Sequence, residues 1–537
     1  MNWRKVLAFG LVIALIATLG LACAKKGPKA AAEQVLRYNL GTEPETLDPA
    51  KMTGIPEFTA LMQFMEGLTR IGTNGNPEPG IAKSWEISPD GTKYTFHLRD
   101  AVWTSGEPVT AYDFEFAWKR ALDPATAADY AYQLYYIKGG QAFNEGKGTA
   151  DEVGVKAKDA KTLEVTLEAP TPYFLSLTAF QTYMPLPKSL VESNPDWWTK
   201  PETMACNGPF KVTVWDHHSK LEYAKNDKYW DAKSVKLSKL IYYMIEESST
   251  ELTMFETGEI DFADNPPLPD IDRLKAEGKL KISTLLGTYY YLFQCQKVPI
   301  NDARVRKALT YAIDRQSLVT NVTKGGQVPA TAFVPPQVPD AKPGKDFRTV
   351  GGEYFKDNDV ATAQKLLAEA GYPGGANFPP VEILYNTSEA HKAIAEAIQE
   401  MWKKSLGITG VTLTNQEWGV YLATRDQGTY QIARAGWLGD YLDPMTFLDM
   451  WVTGGGNNNT FWGDAEYDRL VEEAKKTLNN EERFAKMHKI EDILFRDNPI
   501  APIYYYVDLW LCKDYVQGIY KSPLGPTDFK WAWIAEH

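Results

Sequence analysis

Histidine and cysteine are scarce in this chain, and their absence from key spacings excludes several chemistries. Six histidines and four cysteines are spread over 537 residues, with no HExxH or CxxC arrangement of the kind that builds a zinc site. No nucleophile elbow, metal-protease helix or phosphate-cradling loop is visible either. The expectation is a non-enzyme with no cofactor, no metal and no catalytic residue. Positive charge is also short: 57 Lys and Arg against 69 Asp and Glu leave a net charge of -12. That balance argues against nucleic acid or an anionic membrane surface as a partner. No internal repeat is visible.

Aromatic residues are plentiful. Sixteen Trp and 29 Tyr suggest a cleft lined by rings that also carry polar handles. The length exceeds what one hydrophobic core supports, so two or three domains are expected. Short alternating strands (Tyr94, Phe96, Leu98; Leu163, Val165, Leu167) intermix with periodic helices at 301–324, 359–370, 388–406 and 480–495. His217 and His218, being adjacent, would face opposite sides of a strand. Without a regular βαβ beat, the class is mixed α/β with discontinuous domains.

The first residues read as an export signal. Arg4 and Lys5 precede an apolar run, Val6 to Ala22. Leu21-Ala22-Cys23 resembles a lipobox, which would make Cys23 a lipidated first residue and residues 24–35 a tether. Ordinary cleavage around Ala22-Cys23-Ala24 and an uncleaved anchor are the other readings. With Cys23 lipidated, Cys206, Cys295 and Cys512 remain, allowing at most one disulfide.

The segment 415–448 carries the most functional information. It sets Arg425, Arg434 and Asp440 among Trp418, Tyr421, Tyr430, Trp437 and Tyr441. Charges of both signs among large apolar surfaces suit a zwitterion better than a catalytic triad. Arg434, between Ala433 and Ala435, stands out by composition. Arg425 and Lys324 would by themselves be ordinary surface charges. Asp443, before Pro444, reads as a helix cap.

An ordered set of pieces resembles the periplasmic oligopeptide-binding proteins, the solute receptors of ABC peptide importers. The pieces are TEPETLDPAKMTGIPE (Thr42–Glu57), TGEIDF (Thr257–Phe262), NDARVRKALTYAIDR (Asn301–Arg315), LYNTSEAHK (Leu384–Lys392), WLGDYLDP (Trp437–Pro444) and PIYYYV (Pro502–Val507). The resemblance implies a bilobed three-domain periplasmic-binding-protein fold, type II-like. Domain I would combine residues 36–65, 188–286 and 507–537; domain II would span 66–187 and domain III 287–506, with hinge crossings at 286–288 and 506–508. It implies capture of short peptides by an exported monomer, held to the membrane only through Cys23, and delivery to an ABC permease. Asp440 and Tyr130 would hold the peptide ammonium; Arg434, Arg425, His391 and Lys324 would take the carboxylate at several lengths. Thr53, Ile55, Trp418, Trp437, Tyr290 and Tyr505 would line backbone and side-chain pockets, although Tyr290 and Tyr505 fit a core equally well. Thr53 stands where relatives carry Glu, and Gly287 and Leu438 where they carry a cysteine pair. A receptor for sugars, murein peptides or nickel complexes on the same fold, and a secreted peptidase, are the competing readings.

Overall fold

A computed structural model describes residues 28–72 and 76–537. The signal, lipobox (Cys23 included) and residues 24–27 of the tether lie outside the described residues, while the rest of the tether docks on the C-terminal segment, Ala31 N and Gln34 Nε2 both donating to Ile534 O at 2.8 Å. Two long strands, Lys281–Phe293 and Ile500–Cys512, organise everything else. They run antiparallel at the centre of an eleven-stranded sheet and belong to both of its halves. On one side lie Ile432–Leu438, Val381–Asn386 and Val411–Gln416. On the other lie Phe262–Asp264, Val35–Asn39, Lys239–Tyr243, Lys220–Lys225 and Phe210–Asp216. The two halves are the two lobes.

Between the lobes the central pairing breaks. Thr284 pairs with Val507 and Thr288 with Tyr505, so the register shifts across the intervening residues. Leu286 turns out of the ladder and donates its N–H to Pro523 O at 2.7 Å. Interrupted pairing lets two strands bend relative to each other.

A separate four-stranded antiparallel sheet (82–87, 93–98, 162–166 and 155–159) carries the alternating segments read from the sequence. The helix Ala111–Leu122 packs against it, started by a capping box in which Thr110 N donates to Asp113 Oδ2 at 2.8 Å.

Two local expectations need correction. The helix expected over 301–324 is three pieces: Ala303–Tyr311, Arg315–Leu318 and a π turn, Val319–Thr323. Asp314 breaks it, because its side chain caps Ser317 N at 2.8 Å. Arg315, fully buried, then gathers the carbonyls of Thr310, Ile313 and Pro502. His217 and His218 lie past the end of the strand Phe210–Asp216, in a turn where His218 has φ 56°. Cys206, Cys295 and Cys512 are all free thiols. No helix among the described residues is long and apolar enough to cross a membrane, and none of their His, Cys, Asp and Glu groupings could hold a metal ion.

Candidate functional site: a charged cleft between the lobes

The strand Ile432–Leu438 explains why the cleft is charged. Its side chains alternate: Ala433, Ala435 and Trp437 are buried, while Arg434, Gly436 and Leu438 are not. Asp440 follows at the end of the same face. Val381–Asn386 pairs with this strand only at Ile432 and Ala433. From Arg434 onward that backbone edge has no strand partner among the described residues; the Arg434 carbonyl accepts from Tyr421 OH, and an added strand can pair beyond it.

Asp440 sits where the lobes meet. Gln133 Nε2 donates to Oδ2 at 2.8 Å and Tyr130 OH to Oδ1 at 3.5 Å, both from the first lobe. No Lys or Arg among the described residues forms an ion pair with it, so two neutral donors support a buried negative charge. Burial, with Asp449 adding to it, raises the Asp440 pKa well above the usual carboxylate range. Trp437 stacks on Tyr130 at 6.0 Å and commits its indole N–H to Thr446 O at 2.7 Å. It therefore backs the anion site from behind.

Two half-buried guanidiniums also lack a carboxylate. Arg434 donates to Asn386 Oδ1 at 3.2 Å and Tyr506 OH at 2.9 Å, and lies 4.8 Å from the centre of the Tyr289 ring. Its Nε has no partner. Arg425 reaches Asn459 Oδ1 at 2.6 Å and lies over Tyr421, again with an unpartnered Nε. Ring faces and neutral oxygens keep these cations in place, but each still favours an arriving anion. His391 joins the Arg434 group through Tyr289, 3.4 Å from hydroxyl to Nδ1. Burial, and then Arg434, push its pKa well below the usual imidazole value. His391 is therefore a neutral hydrogen-bonding group, and Arg434 carries the charge.

Lys324 does not join this cluster. It ends the π turn with φ 56°, and its Nζ is 3.0 Å from Asp272 Oδ2 at the surface. Tyr290 packs edge-on against Phe333 and Trp451, and Tyr505 donates to Ala332 O at 3.3 Å, both inside the core. Thr53 and Ile55, by contrast, line the cavity beside Asp440. Trp418 spans the lobes by donating to Glu57 Oε1 at 3.1 Å. Buried Glu57 also accepts from Glu45 N at 2.8 Å, which places a carboxylate in the Thr53 segment by another route. Burial, with Glu57 adding to it, pushes Glu45 up to about 7.

Sequence reasoning missed Gln133, Asn386, Tyr506 and Asn459, the neutral groups that hold the charges. Asn386 and Tyr506 fall inside quoted pieces of the resemblance, but nothing local marks their role. The cysteine-pair positions turn out to be cross-strand neighbours, Gly287 opposite Leu438. A Cβ on Gly287 would lie 2.3 Å from Leu438 Cδ2, so the glycine makes room for the leucine.

Two lobes around a cleft with separated charges that lack ion-pair partners define an extracytoplasmic-type solute receptor. More particularly, the chain belongs to the bacterial extracellular solute-binding proteins, family 5, whose description matches residues 76–459. It is 43% identical over 541 residues to an oligopeptide-binding protein, OppA, of Bacillus subtilis, covering 98% of each. The structure is similar to that of Haemophilus influenzae OppA in complex with the peptide RPPGFSPFR (TM-score 0.88, 35% identity, 95% of this chain and 100% of that one). Against the unliganded open form of the murein tripeptide-binding protein MppA, at the same 35% identity, the TM-score is 0.62, covering 95% of this chain and 99% of that one. Besides Gln133–Asp440 and Trp418–Glu57, two further contacts join the lobes: Ser248 Oγ meets Glu389 Oε2 at 2.6 Å and Asn457 Nδ2 meets Tyr132 OH at 3.2 Å.

Proposed function

We propose that the protein captures short peptides outside the cytoplasm and delivers them to an ABC permease without chemical change. The observation that carries this is the separation of a half-buried carboxylate without an ion-pair partner, Asp440, from two half-buried guanidiniums without one, Arg434 on the strand Ile432–Leu438 and Arg425 on the helix Trp418–Asp426. A peptide has the matching features: ammonium at one end, carboxylate at the other, and a backbone that can pair with the edge. Neutral sugars need neither ion, which disfavours the sugar receptor. The hinge is assigned to 286–288 and 506–508, at the break in the central pairing, with domains as the resemblance implies. Closure then signals loading. Export is common to the relatives; the lipid anchor through Cys23 and the monomeric state are part of the proposal.

A direct test incubates the purified protein with a free tripeptide, removes the unbound fraction and analyses what denaturation releases. Intact tripeptide is the expected product. Its hydrolysis fragments would point to a peptidase instead.

The pH dependence follows from Asp440. In the empty closed cleft its raised pKa keeps the proton on to higher pH, and an ammonium beside it favours the carboxylate and brings that pKa down. The empty closed form therefore loses stability as pH rises from the ordinary carboxylate range through the raised value. Over the same window, peptide binding releases a proton. Calorimetry in two buffers of different ionisation enthalpy should show that release, and Asp440→Asn should remove it.

A further inference from the structure

Where the pairing of the two long strands lapses between Thr284 and Thr288, a hairpin from the C-terminal segment takes its place. In this hairpin, 520–528, Tyr520 pairs with Asp528 and Lys521 with Thr527. The first lobe holds it at three points. Lys521 Nζ lies 2.7 Å from Asp264 Oδ1 and 3.2 Å from Asp508 Oδ2. Gln63 Nε2 donates to Thr527 O at 3.2 Å, and Arg70 donates to Asp528. Pro523 O then accepts from Leu286 N at 2.7 Å, and Leu286 O accepts from Gly439 N at 2.9 Å. The peptide groups of Leu286 thus link the hairpin to the end of the second lobe's strand. Leu438, the last residue of that strand, meets the hairpin at its tip. A Cβ on Gly525 would lie 2.6 Å from Leu438 Cδ1 and 3.3 Å from Ile55 Cδ1. On the other side, Leu438 Cδ2 fills the space that a Cβ on Gly287 would need, 2.3 Å away. One leucine side chain is seated between two glycines, one on each side of the strand break.

We propose that the contact of Leu438 with Gly525 is the stop that sets how far the lobes close. It rests on the hinge assigned to 286–288 and on peptide as the ligand. Non-bonded carbons settle ~3.5–4.0 Å apart, so a methyl group at Gly525 would have to drive Leu438 back by about 1 Å. The strand at Gly287 blocks that retreat, and packed interiors yield little. The contact lies beside the hinge, so a small displacement there grows with distance along the cleft. The bonds that join the lobes have no such slack. Gln133 reaches Asp440 at 2.8 Å and Trp418 reaches Glu57 at 3.1 Å, whereas a separation of ~3.6 Å is no longer a hydrogen bond. A bare Gly525 therefore lets the cleft close far enough to form both. Leu438 is a positioning residue: it acts through the angle between the lobes, and the peptide need not touch it.

The test is small-angle scattering and calorimetry on the full chain, with and without tri-, tetra- and pentaalanine. The native protein should contract on binding. Gly525→Ala should bind at least tenfold more weakly and stop short of the native contraction, and adding Leu438→Ala should restore both. Gly525 has φ 111°, where any side chain is strained, so a second variant leaves it in place. Leu438→Phe lengthens the side chain that meets it and should hold the lobes apart in the same way; thermal melts check that every variant folds. Full contraction in both Gly525→Ala and Leu438→Phe overturns the stop. So does a loss in Gly525→Ala that Leu438→Ala leaves in place, because the hairpin backbone and not the contact is then at fault. A native protein that binds none of the three peptides overturns the peptide reading on which the stop rests.

Discussion

Asp440→Ala should weaken binding of free-amine peptides by about 2–5 kcal/mol, the cost of truncating one partner of a buried hydrogen-bonded charge pair. At about 1.4 kcal/mol per factor of ten, that is a loss of roughly 30-fold to several thousand-fold. The physical reason is the asymmetry of the site. Among the described residues, Gln133 and Tyr130 supply the only hydrogen bonds from the first lobe to this carboxylate, and neither can compensate a peptide ammonium once the carboxylate is gone. An N-acetylated peptide should bind the native protein poorly for the complementary reason, since it brings no charge to a carboxylate that stays desolvated. The two losses should not add: Asp440→Ala should bind acetylated and free peptides alike. Equal affinity of the native protein for both forms would contradict the assignment.

Arg434→Met and Arg425→Met should each cost about 2–5 kcal/mol, but for different peptide lengths. Arg434 lies six residues before Asp440, which falls two residues past the strand end at Leu438, so at ~3.3 Å per residue at most about 20 Å of backbone separates them. An extended peptide covers at most ~3.3–3.6 Å per residue, so the carboxylate of only a narrow range of lengths can meet Arg434. Arg425 belongs to the helix Trp418–Asp426, off that strand, and its partner is Asn459 instead of Asn386. Calorimetry with tri-, tetra- and pentapeptides should therefore show each variant losing most at its own length. A loss uniform across lengths would mean the arginines act only through the general field of the cleft.

Much of this was legible in the residues, for reasons that can be stated. Strands at 93–98 and 162–166 alternate cleanly because one face of their sheet is buried. Arg434 stood out because it interrupts an apolar stretch, and the structure puts it on the open face of a half-buried strand. Asp440 could be named from its neighbours in WLGDYLDP. The supporting groups could not, because they arrive from distant segments: Gln133 is 307 positions from Asp440 and Tyr506 is 72 from Arg434. Lys324, by itself read as an ordinary surface charge and placed at the site only by the resemblance, pairs with Asp272, 52 positions upstream, a partner no local pattern reveals. The broken helix at 303–323 has the same origin, since Arg315 looks like a surface residue in sequence. Only the fold reveals that the carbonyl of Pro502 lies 2.7 Å from its Nε. Asp443 did act locally as expected, accepting from Met445 N at 3.0 Å, while also pairing with Arg483.

The central claim is that this cleft holds peptides of varied sequence by their two ends. Native mass spectrometry of the protein as purified, followed by denaturation and sequencing of what it releases, tests that claim most directly. The expected result is a set of intact short peptides with free amino and carboxyl termini, varied in sequence and narrow in length. Release of a single sugar or metal complex, or peptides blocked at their amino ends, would contradict it.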